Sequence, residues 1–152
     1  MSPAPSERQQ HFQNIFGNVA QAGVYHLPPG DRDEIIAAAE ACAYVVFRVD
    51  LASARDKDGL LAAIGRDMAI PEWFGYNWDA LADSLGDLGW RPAEGYLILL
   101  EHCDRINSCS HEDFVAALHI ASAAAIEWRE RGIAFWCLAD MHADGIAWLP
   151  GL

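Results

Sequence analysis

The chain has 152 residues, 53% of them hydrophobic, with 22 acidic against 10 basic side chains and a formal net charge of −12 at pH 7. That length and apolar content suffice for one respectable core, while the charge excludes direct nucleic-acid binding as the main activity, because phosphates would be repelled. No apolar run approaches the roughly 20 residues of a helical membrane span, which predicts a soluble chain.

In chain order, residues 1–14 are polar, carry Pro3 and Pro5, and lack the apolar stretch of a signal peptide. Residues 1–22 therefore read as a mobile tail. Residues 24–27 fit a short strand, Pro28-Pro29-Gly30 a strong turn, and residues 31–43 an alanine-rich helix. Residues 23–43 are thus expected to add a strand and a helix at the sheet edge; the plainer alternative is a loosely packed extension. From residue 44 to 152 the pattern is that of an α/β domain, forming one globular unit with 23–43. Residues 44–51, 96–100 and 133–138 are β-branched, aromatic and nearly continuous in apolar character, as strands covered on both faces are. Helical patterns over residues 57–68, 78–88 and about 112–131 separate them, the last opened by Ser110 with Asp113 three residues on, and closed by Gly132. Strand, helix, helix, strand, helix, strand predicts a small parallel sheet of three core strands flanked by helices, with a fourth strand from the N-terminal addition.

Charge is unevenly placed. From Asp67 to Asp104 there are eight acids and one base, Arg91. Turning about 100° per residue from Trp78, the apolar Trp78, Leu81 and Leu85 cluster, and Asp79, Asp83 and Asp87 fall nearly opposite. Asn77 suits the N-cap, and Asp79 in the first turn is favoured by the positive end of the helix dipole. An acidic stripe is ordinarily just a solvated face. Here it lies beside Trp73, Phe74, Tyr76, Trp78 and Trp90, and aromatic anchors next to steering charge are how protein interfaces are built.

The run Pro71-Glu72, the aromatic pair Trp73-Phe74, then Gly75, Asn77, Asp79-Ala80-Leu81 and Asp83 resembles the barstar-like ribonuclease inhibitors, roughly over residues 44–140. The resemblance implies an α/β fold, no catalysis, no cofactor, and a basic, extracellular-type ribonuclease as partner. In that family the loop and acidic helix plug the nuclease active site, so that carboxylates take the places of RNA phosphates, an idea worked out on its founding member. It further implies that Asp79 and Asp83 are the inhibitory carboxylates. Trp73 stands where the family often has a loop tyrosine. Glu127, five residues before Gly132, fits a further family acid, and Trp90 an aromatic after the acidic helix, at a longer spacing. Trp73 and Phe74 would anchor the loop, Gly75 would permit its close turn, and Asn77 would cap the helix. One departure stands out: Ala82 occupies the place of a tryptophan in the founding member, which removes apolar contact area and favours a different cognate enzyme.

Two alternatives stay open beside this reading. One keeps the fold and gives it a basic partner that is not a nuclease. The other makes Asp79, Asp83 and Glu127 hydrolytic or cation-binding carboxylates, but a helix N-terminus pushes Asp79 toward the ionised form, and no phosphate loop, Gly-x-Ser-x-Gly or His-Glu-x-x-His occurs. Four cysteines (Cys42, Cys103, Cys109, Cys137) without a Cys-x-x-Cys pair fit reduced thiols in a cytoplasm. His102-Cys103 and Cys109-x-His111 invite a zinc hypothesis, yet adjacent residues at a strand end point to opposite faces. His142 reads as a surface histidine. Oligomeric state stays open.

Overall fold

The computed structural model describes residues 6–71, 75–141 and 146–149. Its elements are α1 (Glu7–Phe16), a 3-10 turn (Val19–Gln21), β1 (Val24–His26), α2 (Arg32–Ala41), β2 (Val45–Asp50), α3 (Lys57–Asp67), α4 (Trp78–Asp87), β3 (Gly95–Glu101), α5 (Asp104–Cys109), α6 (His111–Glu130) and β4 (Ala134–Ala139). The four strands form one sheet in the order β1-β4-β3-β2. All pairings are parallel, with Val24 opposite Cys137, Tyr96 opposite Phe135, and Val45 opposite Tyr96.

The continuous apolar runs of β3 and β4 are explained by two cores. Alternation along a strand sends successive side chains to opposite faces. Tyr96, Ile98, Leu100, Phe135 and Cys137 therefore join Leu60, Ile64, Leu81, Leu85, Phe114, Leu118 and Trp128 beneath α3, α4 and α6. Leu97, Leu99, Trp136 and Leu138 enter the second core, with Phe12, Phe16 and Ile35 from α1 and α2. Burial pushes the Cys137 thiol up to about 12. Cys103 is also buried and donates its thiol to the Leu100 carbonyl at 3.1 Å, while the neighbouring His102 ring turns to the Asp50 carboxylate at 3.1 Å.

The N-terminal region differs from the sequence expectation. Residues 7–16, expected in a mobile tail, form α1 and seal the second face of the sheet. Phe12, Ile15 and Phe16, spaced three and four apart, are buried, and the Ser6 side chain caps the helix by accepting from Gln9 N at 3.0 Å. Arg8 grips Asp31 with a 2.7 Å ion pair, and Tyr44 donates to the Phe16 carbonyl at 2.7 Å. A ten-residue helix that is mostly polar hides a three-residue apolar contact. The expected extra strand is β1, at the sheet edge on β4, but its helix α2 lies across the second face rather than at the edge. The outer side of β1 is met by the C-terminal segment, where His26 N donates to Ala147 O at 2.8 Å.

Two smaller features also depart from expectation. Helix α5 is not expected from the sequence, since six residues with a single buried side chain, Ile106, carry no readable period. Ser110 occupies the N-cap position of α6, but its hydroxyl donates to Asp113 at 3.2 Å instead of capping the backbone.

At the open edge of β2, Asp67 accepts from Asp50 N at 2.8 Å and pairs with Arg66 at 2.9 Å. The Arg66 hydrogen bond is the main reason the Asp67 carboxyl sits below its ordinary 3.8, with burial opposing. A carboxyl depressed on folding contributes stability above its unfolded pKa and loses it as pH falls through the folded one. Between about pH 5 and about pH 2 the unfolding midpoint of Asp67→Asn should thus fall less steeply than that of the parent; equal slopes would show that this pairing contributes nothing to acid unfolding.

Candidate functional site

The site begins with the start of α4. Asn77 is extended and its Oδ1 accepts from Ala80 N at 2.8 Å, while its Nδ2 donates to Gly75 O at 3.3 Å. A Cβ on Gly75 would stand 3.1 Å from that Nδ2, so glycine makes room for the cap. The left-handed residue of the turn is Tyr76 (φ 51°), a solvent-exposed ring, and Gly75 is not among the positive-φ positions. Trp73 and Phe74 lie outside the described residues.

Helix α4 then buries Leu81, Ser84 and Leu85 and leaves Asp79, Ala82, Asp83 and Asp87 exposed. Its buried side rests on α6 through two hydrogen bonds to its own last carbonyls: Trp128 Nε1 to Leu85 O at 2.7 Å, and Arg131 Nη1 to Gly86 O at 2.9 Å. Both fix donors on the negative end of the α4 dipole. Because Gly86 has no side chain, the Glu127 carboxylate comes close over α4; a Cβ there would be 3.0 Å from Glu127 Oε2. The two helices thereby frame an open groove of about 390 Å³ lined by Ala82, Asp83, Gly86, Asp87, Glu127 and Arg131.

Of the residues singled out in sequence, Asp83 and Glu127 therefore meet in one groove although 44 positions apart. Asp79 stands one turn before Asp83 on the same exposed face of α4, outside the groove lining. Trp90 is elsewhere. It is half-buried, donates Nε1 to Met68 O at 3.2 Å, and lines a separate hollow along β2 with Val45, Phe47 and Arg91. The groove residues Gly86 and Arg131 were not identified from sequence, nor was Asp87 as more than part of the acidic face. Spacing of four from Asp83 to Asp87 and from Glu127 to Arg131 is the signal that could have found two of them. Among the described residues no group of His, Cys, Asp and Glu is arranged to hold a metal ion.

One group under this surface is poorly placed. The Ser84 hydroxyl is buried and has no hydrogen-bond partner among the described residues. An unsatisfied buried hydroxyl costs free energy, so Ser84→Ala should stabilise the fold by about 1 kcal/mol. Urea denaturation measures this; a loss of stability would mean that the hydroxyl does have a partner.

The sequence model of the family described as Barstar (barnase inhibitor) matches residues 44–140, more than half of the chain. No curated protein matches it. The match begins at the residue before β2 and ends just after β4, so it spans the strands, the acidic helix and the helix that carries Glu127. The α/β architecture, with a parallel sheet flanked by helices, agrees with it, and the chain belongs to the barstar (barnase inhibitor) family.

Proposed function

We propose that this protein inhibits a basic ribonuclease by seating the acidic face of α4 in the enzyme's phosphate-binding cleft. The observation that carries the reading is the convergence of Asp83 and Glu127, from distant parts of the chain, on one open groove. Asp87 extends the acidic face within the groove, and Asp79 extends it on the exposed helix start. Steric occlusion supplies the inhibition; the carboxylates, standing where RNA phosphates would sit, supply complementarity and fast encounter. Exposure suits that role, because each acid is available to a partner cation. Trp73, Phe74 and Tyr76 serve as contacts of the neighbouring loop. The protein acts without a cofactor and without chemistry of its own. Its place is the cytoplasm, where Cys42, Cys103, Cys109 and Cys137 stay unpaired.

Ala82, exposed on the groove wall, offers little apolar area, which favours a cognate nuclease other than barnase. Titration into basic ribonucleases cleaving a fluorogenic RNA tests the reading. Activity should vanish at a one-to-one end point with at least one of them, and undiminished cleavage by all of them at large excess would contradict it.

A further inference from the structure

Among the described residues, the lining of the groove that this reading assigns to the ribonuclease includes one basic side chain, Arg131, and its placement is unusual. Arg131 is four residues after Glu127, a spacing that favours an ion pair along α6. No such pair forms: among the described residues no carboxylate comes within 4.0 Å of the Arg131 guanidinium. The guanidinium is held instead by neutral partners. It donates to Gly86 O at 2.9 Å and lies 4.5 Å from the centre of the Trp128 ring, itself tied to Leu85 O. Glu127 is meanwhile directed over Gly86. Held this way, Arg131 forms no ion pair with the acids, yet its charge lines the same groove.

Resting on the inhibitor reading, we propose that Arg131 sets the partner selectivity of the groove. It favours a basic surface that places a carboxylate or other acceptor among its cations, and it handicaps one that is cationic throughout. A like charge juxtaposed across an interface is the repulsive element by which a specific site rejects near relatives of its target. One bond to Gly86 uses a single donor of a group that has five, which leaves a planar fork to meet a carboxylate.

Barnase serves as the probe, since a cleft that holds RNA phosphates is cationic. Its affinity is measured for the parent and for Arg131→Gln, Arg131→Lys and Asp83→Ala, with thermal unfolding of each as a check on folding. Arg131→Gln should bind roughly three- to tenfold more tightly than the parent at low ionic strength, with the gain shrinking as salt screens it. Arg131→Lys, which keeps the charge, should stay within about twofold of the parent. Asp83→Ala should bind more weakly. If Arg131→Gln matches the parent or binds less tightly while Asp83→Ala still loses affinity, the selectivity role is wrong and the inhibitor reading stands. Binding by none of the four would mean that removing the Arg131 charge does not admit a cationic cleft, which also counts against the selectivity role, whereas equal binding by parent and Asp83→Ala removes the groove assignment and the inference with it.

Discussion

Asp83→Ala is expected to weaken the complex with the cognate ribonuclease by about 2–5 kcal/mol, roughly 30-fold to several thousand-fold in Kd, with little change in folding stability. The size is the general cost of truncating one partner of a desolvated charge pair, of the kind met in the barnase–barstar complex, and only its location is argued from this chain. The argument for location is geometric. Asp83 is exposed near the middle of α4, lines the groove with Glu127, and makes no side-chain hydrogen bond or ion pair with the described residues. Removing it costs the fold nothing obvious, and such surface changes ordinarily stay within about 0.5 kcal/mol. Removing it from a complex leaves a desolvated cation on the partner without its counter-charge, which is where most of the loss arises. The loss should appear chiefly as faster dissociation, measured by surface binding kinetics. Equal dissociation rates for parent and variant would take Asp83 out of the interface.

Phe16→Ala should cost about 3–5 kcal/mol of folding stability. Phe16 is fully buried in the second core, edge-on to Trp136 at 5.3 Å and stacked with Phe12 at 6.4 Å. Truncating it leaves a cavity over the sheet face that α1 covers. Against a typical domain stability of about 5–15 kcal/mol, that is a large fraction. Urea denaturation measures it, and amide exchange offers a second readout, since residues 12–16 should be protected in the parent. A change under about 0.5 kcal/mol would mean that residues 6–16 are the mobile tail that their composition suggests. The consequence reaches beyond stability. The family match starts at residue 44, so α1 and α2 lie outside the matched region, and they cover a face bearing Leu97, Leu99, Trp136 and Leu138.

What could be read from the sequence follows from how many residues carry each signal. The strands β3 and β4 were legible because every one of their residues is buried, giving uninterrupted apolar runs. The acidic helix was legible from both faces and from its cap: residues 78–88 were expected, Trp78–Asp87 is observed, and Asn77 caps it as its residue type suggests. By contrast α1 places three apolar residues among polar ones, a contact that only the presence of a second sheet face makes favourable. The groove was half legible. Asp83 and Glu127 came from a family resemblance, whereas Gly86 and Arg131 matter through what they touch across two helices, which one chain's periodicity does not encode. For Trp90 only its nearness to the acidic helix can be read in the sequence, whereas the bond of its indole to the Met68 carbonyl at the end of α3 is legible in the fold alone.

The central claim is most directly tested by a pull-down from the source organism's proteome, with the parent and its Asp79→Ala/Asp83→Ala double variant as baits at low and high salt. The account predicts a basic ribonuclease retained by the parent alone and released as salt screens the charges. Recovery of the same non-nuclease protein by both baits would contradict it, and would move the binding surface off the acidic helix.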